Sequence, residues 1–120
     1  METVRTIRRA MLLAFGKETV NYVTEVLRTA AEEKNAVMGA MGLAGEVGEF
    51  VELIKKDVFH GKPPAPKALK EELGDILWYL VYSADACGTS LEEIATSNVE
   101  KLRARYPAGF IGNIAKEDGA

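Results

Sequence analysis

Two short blocks of this sequence match one another in a way that could do chemistry. Glu46-Val47-Gly48-Glu49-Phe50-Val51 and Glu72-Leu73-Gly74-Asp75-Ile76-Leu77 share the form acid-apolar-Gly-acid-apolar-apolar. On a helix turning about 100° per residue, Val47, Phe50, Val51, Ile54 and Val58 form an apolar face around the first block. Leu69, Leu73, Ile76, Leu80 and Ala84 do the same around the second. The first acid of each block lies at the edge of that face, and the second lies about 60° further out on the same side. Antiparallel packing through the two apolar faces would bring Glu46, Glu49, Glu72 and Asp75 to one spot.

Carboxylates gathered in one place repel each other and lose hydration, so a cation is needed to hold them. An all-oxygen ligand set suits Mg²⁺, with Mn²⁺ as a substitute. It does not suit zinc, nor a di-iron bundle site, which would use Glu-x-x-His. The single histidine, His60, falls in a linker. One Glu-x-x-Glu alone is ordinarily a solvated helix edge. Two matched pairs in consecutive helices, both bordering the core, favour a metal site.

Gly39, Gly42, Gly45 and Gly48 recur every third residue beside the first block. Each costs a helix about 1 kcal/mol relative to alanine. Two gains could compensate: close packing against another helix, or a surface cleared for a ligand beside Glu46. Further along, Asn98, Lys101 and Arg105 line one flank of a helix whose apolar face is Leu91, Ile94, Ala95, Val99 and Leu102. That stripe is either an ordinary charged flank or a clamp for a polyphosphate, arginine being suited to paired oxygens. Tyr79 falls on the acid-bearing edge of the third helix and Trp78 lies further round. Both are candidates for stacking on a base, and a helix or subunit contact is the alternative.

The elements that must position these residues are helical. The first helix is expected from about Glu18 to Lys34, with Val20, Val23, Leu27 and Ala30 as its stripe. The second runs from about Ala36 to Val58 with Asn35 as N-cap, and the glycine- and proline-rich run from His60 to Pro66 breaks the chain. The third runs from about Lys67 to Cys87 and stops at Gly88. Ser90-Leu91-Glu92-Glu93 has the form of a capping box that opens the fourth helix, and Pro107-Ala108-Gly109 ends it. Residues 1–17 read as an N-terminal arm, helical or extended, and residues 108–120 as a C-terminal arm. No stretch alternates as a half-buried strand does.

Composition narrows the partners. The 120 residues fit one domain, with 48% apolar and 28% charged residues, as in a soluble globular protein. A core this small makes a homo-oligomer a reasonable expectation. A net charge of −3 argues against nucleic acid as the main partner. No segment reaches membrane-spanning length. The lone Cys87 fits a reducing compartment, and the expected location is the cytoplasm.

Taken together, Gly45-Glu46-Val47-Gly48-Glu49, the run from Glu71 to Leu80, and Asn98 with Lys101-Leu102 and Arg105-Tyr106-Pro107 resemble the MazG-like nucleotide pyrophosphohydrolases of the all-α NTP pyrophosphatase superfamily. The resemblance covers roughly Ala36 to Phe110. It implies a four-helix MazG-like bundle with helices packed between subunits, as a homodimer or a dimer of dimers. It implies Mg²⁺ on Glu46, Glu49, Glu72 and Asp75, and phosphate contacts from Asn98, Lys101 and Arg105. It also implies water attack at the α-phosphate of a nucleoside, or deoxynucleoside, triphosphate, releasing the monophosphate and pyrophosphate. Glu49 and Glu46 are the candidates to accept the proton of the attacking water, with Glu71 in reserve. Two other readings stay open: phosphoribosyl-ATP pyrophosphohydrolase of the same superfamily, and a non-catalytic helical dimerisation module.

Overall fold

The structure, a computed structural model, describes residues 16–19 and 21–110. They form helices and turns, with no strand among the described residues, as the apolar periodicity requires. Helix α1 spans residues 16–29, residue 20 lying outside the described set. Helices α2 (Ala36–His60), α3 (Pro66–Ala86) and α4 (Leu91–Arg105) follow.

The local signals set most boundaries. The Asn35 side chain accepts from the Val37 and Met38 N–H groups at 2.8 and 3.4 Å and so caps α2. Gly61 closes α2 at φ 61°, a left-handed position that suits glycine. Pro66 opens α3 at the first turn, where its missing N–H costs nothing. Ser90 caps α4 by accepting from the Glu93 N–H at 3.2 Å. The expected capping box is only half made: the Glu93 carboxylate accepts from the Thr89 hydroxyl at 2.8 Å.

Helix α1 ends at residue 29, not at Lys34. The run from Ala30 to Lys34 has good helix propensity, so tertiary contacts overrule it. Lys34 Nζ lies 3.6 Å from the Asp85 carboxylate at the far end of α3. The Asn35 N–H donates to the Tyr82 hydroxyl at 3.0 Å. A chain continuing helically to Lys34 could not present these groups to α3 and also begin α2 at an extended Asn35 (φ −125°). Gly16 and Lys17 are already helical, ahead of the expected start of α1 at Glu18. Residues 1–15 of the N-terminal arm and 111–120 of the C-terminal arm lie outside the described residues.

Helices α2 and α3 pack antiparallel in a register fixed by glycine. A Cβ on Gly39 would come 2.5 Å from Ser83 Oγ, and one on Gly42 would overlap the Tyr79 ring. Helix α1 runs parallel to α3: the Tyr22 hydroxyl reaches the Gly74 carbonyl, and Trp78 Nε1–H donates to Thr29 Oγ1 at 3.0 Å two turns further along α1. Val26, Val81, Tyr82 and Ala84 are the buried apolar core of the described residues. Val26 lies beside the expected α1 stripe, between Val23 and Leu27.

Of the expected apolar face of α2, only Phe50 is among the buried and half-buried positions of the helix. Gly39, Gly42, Leu43, Glu46, Phe50 and Leu53 are the buried and half-buried positions, whereas Val47, Val51, Ile54 and Val58 are exposed. Two backbones can approach only where side chains are absent, so the glycine row selects the contact. It turns the valine-rich face outward. Leu73 on α3 is likewise half exposed.

Candidate active site

Rotation of α2 onto its glycine row carries Glu46 into the contact with α3. In the register set by Gly39–Ser83 and Gly42–Tyr79, Glu46 comes opposite Asp75 and Glu49 opposite Glu72. One carboxylate oxygen from each of Glu46, Glu72 and Asp75 lies within 4.8 Å of the other two. Glu46 and Glu72 are half-buried and Asp75 is exposed, so the cluster opens to solvent on one side. The two acidic blocks therefore do converge, through the helix contact rather than from its edges.

The charge of the cluster is uncompensated within the described residues. Glu72 Oε2 is buried without a hydrogen-bond partner. Burial first, then the facing Glu46 carboxylate, with Asp75 and Glu49 adding repulsion, hold the Glu72 carboxyl above the usual carboxylate range. No lysine or arginine forms an ion pair with any of the four acids among the described residues. A buried, unpaired oxygen facing two more carboxylates is what a hard divalent cation would satisfy. The oxygen-only donor set fits Mg²⁺ or Mn²⁺. Glu49 is exposed and stands outside the tight trio, within electrostatic reach of Glu72.

The glycines divide by role. Gly39 and Gly42 serve packing, because a Cβ there meets α3. Gly45, Gly48 and Gly74, which flank the acids, have open space where a Cβ would go. Those three clear the surface around the carboxylates.

Tyr79 and Trp78 belong to an aromatic group along α3. The Trp78 ring is 5.0 Å from Tyr79, edge to face, and 5.6 Å from Tyr82, stacked. Tyr79 also covers Gly42, one helical turn from Glu46, so its ring borders the acidic site. The Trp78 indole is held toward α1 by Thr29.

Asn98, Lys101 and Arg105 are not brought to the carboxylates within one chain. Every residue of α4 after Leu91 is exposed, and α4 touches α3 only slightly. The sequence reading passed over one neighbour of the site, Tyr22 of α1, whose hydroxyl reaches the backbone between Glu72 and Asp75. Its position next to Val23 on the apolar stripe was the available signal.

Comparison with known proteins identifies the group to which this geometry belongs. The profile described as the MazG nucleotide pyrophosphohydrolase domain matches residues 37–110, a span that holds all four acids and the α4 stripe. The chain belongs to the MazG nucleotide pyrophosphohydrolase domain family. The mouse protein named dCTP pyrophosphatase 1 is 42% identical over 73 residues, covering 56% of this chain and 43% of the mouse protein. The human protein of that name is 42% identical over 74 residues, covering 57% of this chain and 44% of its own. The Gene 37 protein of Mycobacterium phage L5 is 33% identical over 76 residues, covering 59% of this chain and 66% of the phage protein. The alignments span less than half the length of the mammalian relatives. No solved structure matches the chain.

Proposed function

We propose that this chain hydrolyses a nucleoside triphosphate, with a deoxynucleoside triphosphate as the preferred class, to the monophosphate and pyrophosphate. The observation that carries this reading is the trio of Glu46, Glu72 and Asp75 carboxylates, an oxygen of each within 4.8 Å of the others and Glu72 Oε2 buried and unpaired, inside the span matched by the MazG domain. The relatives named for dCTP cleavage support the deoxynucleotide class.

Glu46, Glu72 and Asp75, joined by Glu49, would hold Mg²⁺, or Mn²⁺ in its place. The ion, when bound, polarises phosphoryl oxygens and makes a coordinated water more acidic. The remaining work falls to the protein. Glu49, exposed beside the trio, is the first candidate to accept the proton of the water that attacks the α-phosphorus. Glu46 is the second candidate for that role. The open space at Gly45, Gly48 and Gly74 admits the phosphate chain close to the helices. Tyr79 borders the site as a platform for the base, with Trp78 backing its ring. Asn98, Lys101 and Arg105 stabilise the charge on the departing pyrophosphate.

The exposure of α4 and its slight contact with α3 support a homo-oligomer, in which α4 of one copy serves the site of another. The exposed Val47, Val51, Ile54 and Val58 on α2, and Val99 and Leu102 on α4, are the apolar faces such an assembly would cover. A groove of about 390 Å³ along Val99, Leu102, Tyr106 and Phe110 adds to that surface. The proposed setting is the cytoplasm, with neither nucleic acid nor membrane as partner. No helix among the described residues is long and apolar enough to cross a membrane.

The test is a screen of common nucleoside and deoxynucleoside triphosphates, coupled to an added pyrophosphatase and read as phosphate release, with and without Mg²⁺. The expected result is a phosphate signal that needs the coupling enzyme, with monophosphate formation, followed by chromatography, that needs Mg²⁺. Silence on every triphosphate, together with no thermal stabilisation by Mg²⁺, would leave a helical association module instead.

A further inference from the structure

The surface beside the acids changes character along α2. Met38, Gly42, Gly45, Glu49 and Lys56 fall within about 60° of one another around that helix. In this row the place of a Cβ at Gly42 is taken by the Tyr79 ring, whereas the place of one at Gly45 is open. Toward the C-terminus of α2 the row runs on to Lys56, and the antiparallel α3 supplies Lys67 and Glu71 at that end, all three exposed. Toward the N-terminus it turns apolar. Tyr79 covers Gly42 about one turn from Glu46, and Met38 lies about one turn further on. Met38 is 66% exposed, so most of its apolar surface stands in water beside that ring.

We propose that Met38 and Tyr79 form the base subsite, so that the substrate lies along α2 with its base toward the N-terminus of that helix. This rests on the reading of the acids as the site of triphosphate cleavage. With the α-phosphate at the acids, the sugar crosses the open surface at Gly45 and the base reaches Tyr79 and Met38. The β- and γ-phosphates then point to the charged end of the row. A tyrosine ring offers a base its face. A thioether is polarizable and adaptable, and it makes favourable contacts with aromatic rings. Binding the base removes from water the apolar surface that Met38 otherwise exposes.

Val37 supplies the control. It is as exposed as its neighbour, at 65%, but points about 100° away around α2. The probes are the α,β-imido analogues of dCTP and dATP, which resist cleavage at that bridge, and inorganic tripolyphosphate, which has no base. Their binding in Mg²⁺ would be measured by calorimetry on the wild type, Met38→Ala and Val37→Ala, with melting temperatures of the metal-free proteins alongside. Met38→Ala should bind both nucleotide analogues about tenfold more weakly and tripolyphosphate within twofold of wild type, with its melting temperature little changed. Val37→Ala should match the wild type on all three. Met38→Ala within twofold of wild type on both analogues would overturn the assignment. Equal weakening toward tripolyphosphate, or equal weakening in Val37→Ala, would overturn it too, because neither can come from a lost contact with the base. These three results leave the cleavage reading intact. A wild type that binds neither analogue would overturn that reading and this inference with it.

Discussion

Alanine at Gly42 and alanine at Gly48 should move stability apart, although both replace a glycine inside the same helix. Each substitution gains about 1 kcal/mol of helix propensity. At Gly48 nothing lies within 4 Å of the new Cβ, so the gain is kept. At Gly42 the new Cβ overlaps the Tyr79 ring, which is itself packed against Trp78 and near Tyr82. Forcing that ring aside adds an overpacking cost of about 1–3 kcal/mol. The two variants should then differ by about the same 1–3 kcal/mol, or roughly 4 °C or more in melting temperature for a domain of this size. The assay is thermal unfolding in EDTA at one fixed protein concentration, because association would otherwise shift the midpoint. A Gly42→Ala protein as stable as Gly48→Ala would refute the register in which Gly42 sits under Tyr79. Activity supplies a second arm. If the space at Gly48 admits the phosphate chain, Gly48→Ala should lose turnover while gaining stability.

The acidic trio predicts that Glu72→Gln loses most turnover yet raises the melting temperature of the metal-free protein, since it removes a charge that is partly desolvated and faces Glu46; calorimetry in EDTA reads the sign. Asp75→Asn should likewise lose Mg²⁺-induced stabilisation, and a wild-type thermal response to Mg²⁺ would remove Asp75 from the ligand set. Ser83 Oγ is buried without a partner, so Ser83→Ala should be neutral or stabilising by up to about 1–3 kcal/mol in denaturant unfolding, whereas a clear loss would mean the hydroxyl has a partner. Lys101→Ala should lower kcat/KM on triphosphates by roughly tenfold to a hundredfold without changing Mg²⁺ affinity, the expected loss of one charge-assisted phosphate contact.

Much of the fold was legible because its signals are local. Asn35, Gly61, Pro66 and Ser90 set helix ends through their own backbone preferences and caps, and the structure places those ends within two residues of expectation. The convergence of Glu46, Glu72 and Asp75 was legible from two matched blocks at helical spacing. What was not legible depends on packing between elements. The end of α1 is decided by contacts of Lys34 and Asn35 with Asp85 and Tyr82, some fifty residues away in sequence. The buried face of α2 follows the glycines rather than the valines. Hydrophobicity alone assigns the opposite, because it does not register how closely two backbones can approach. Tyr22 sits next to Val23 on the α1 stripe, but its neighbour in the site, the Gly74 carbonyl, comes from α3, some fifty residues on.

The central claim is tested most directly by following one deoxynucleoside triphosphate, dCTP, through the reaction with Mg²⁺ in water carrying a heavy oxygen isotope. Chromatography and mass spectrometry of the products answer two questions at once. Attack at the α-phosphorus predicts the monophosphate and pyrophosphate, with the heavy oxygen in the monophosphate alone. A diphosphate with free phosphate would contradict the account, and so would heavy oxygen in the pyrophosphate.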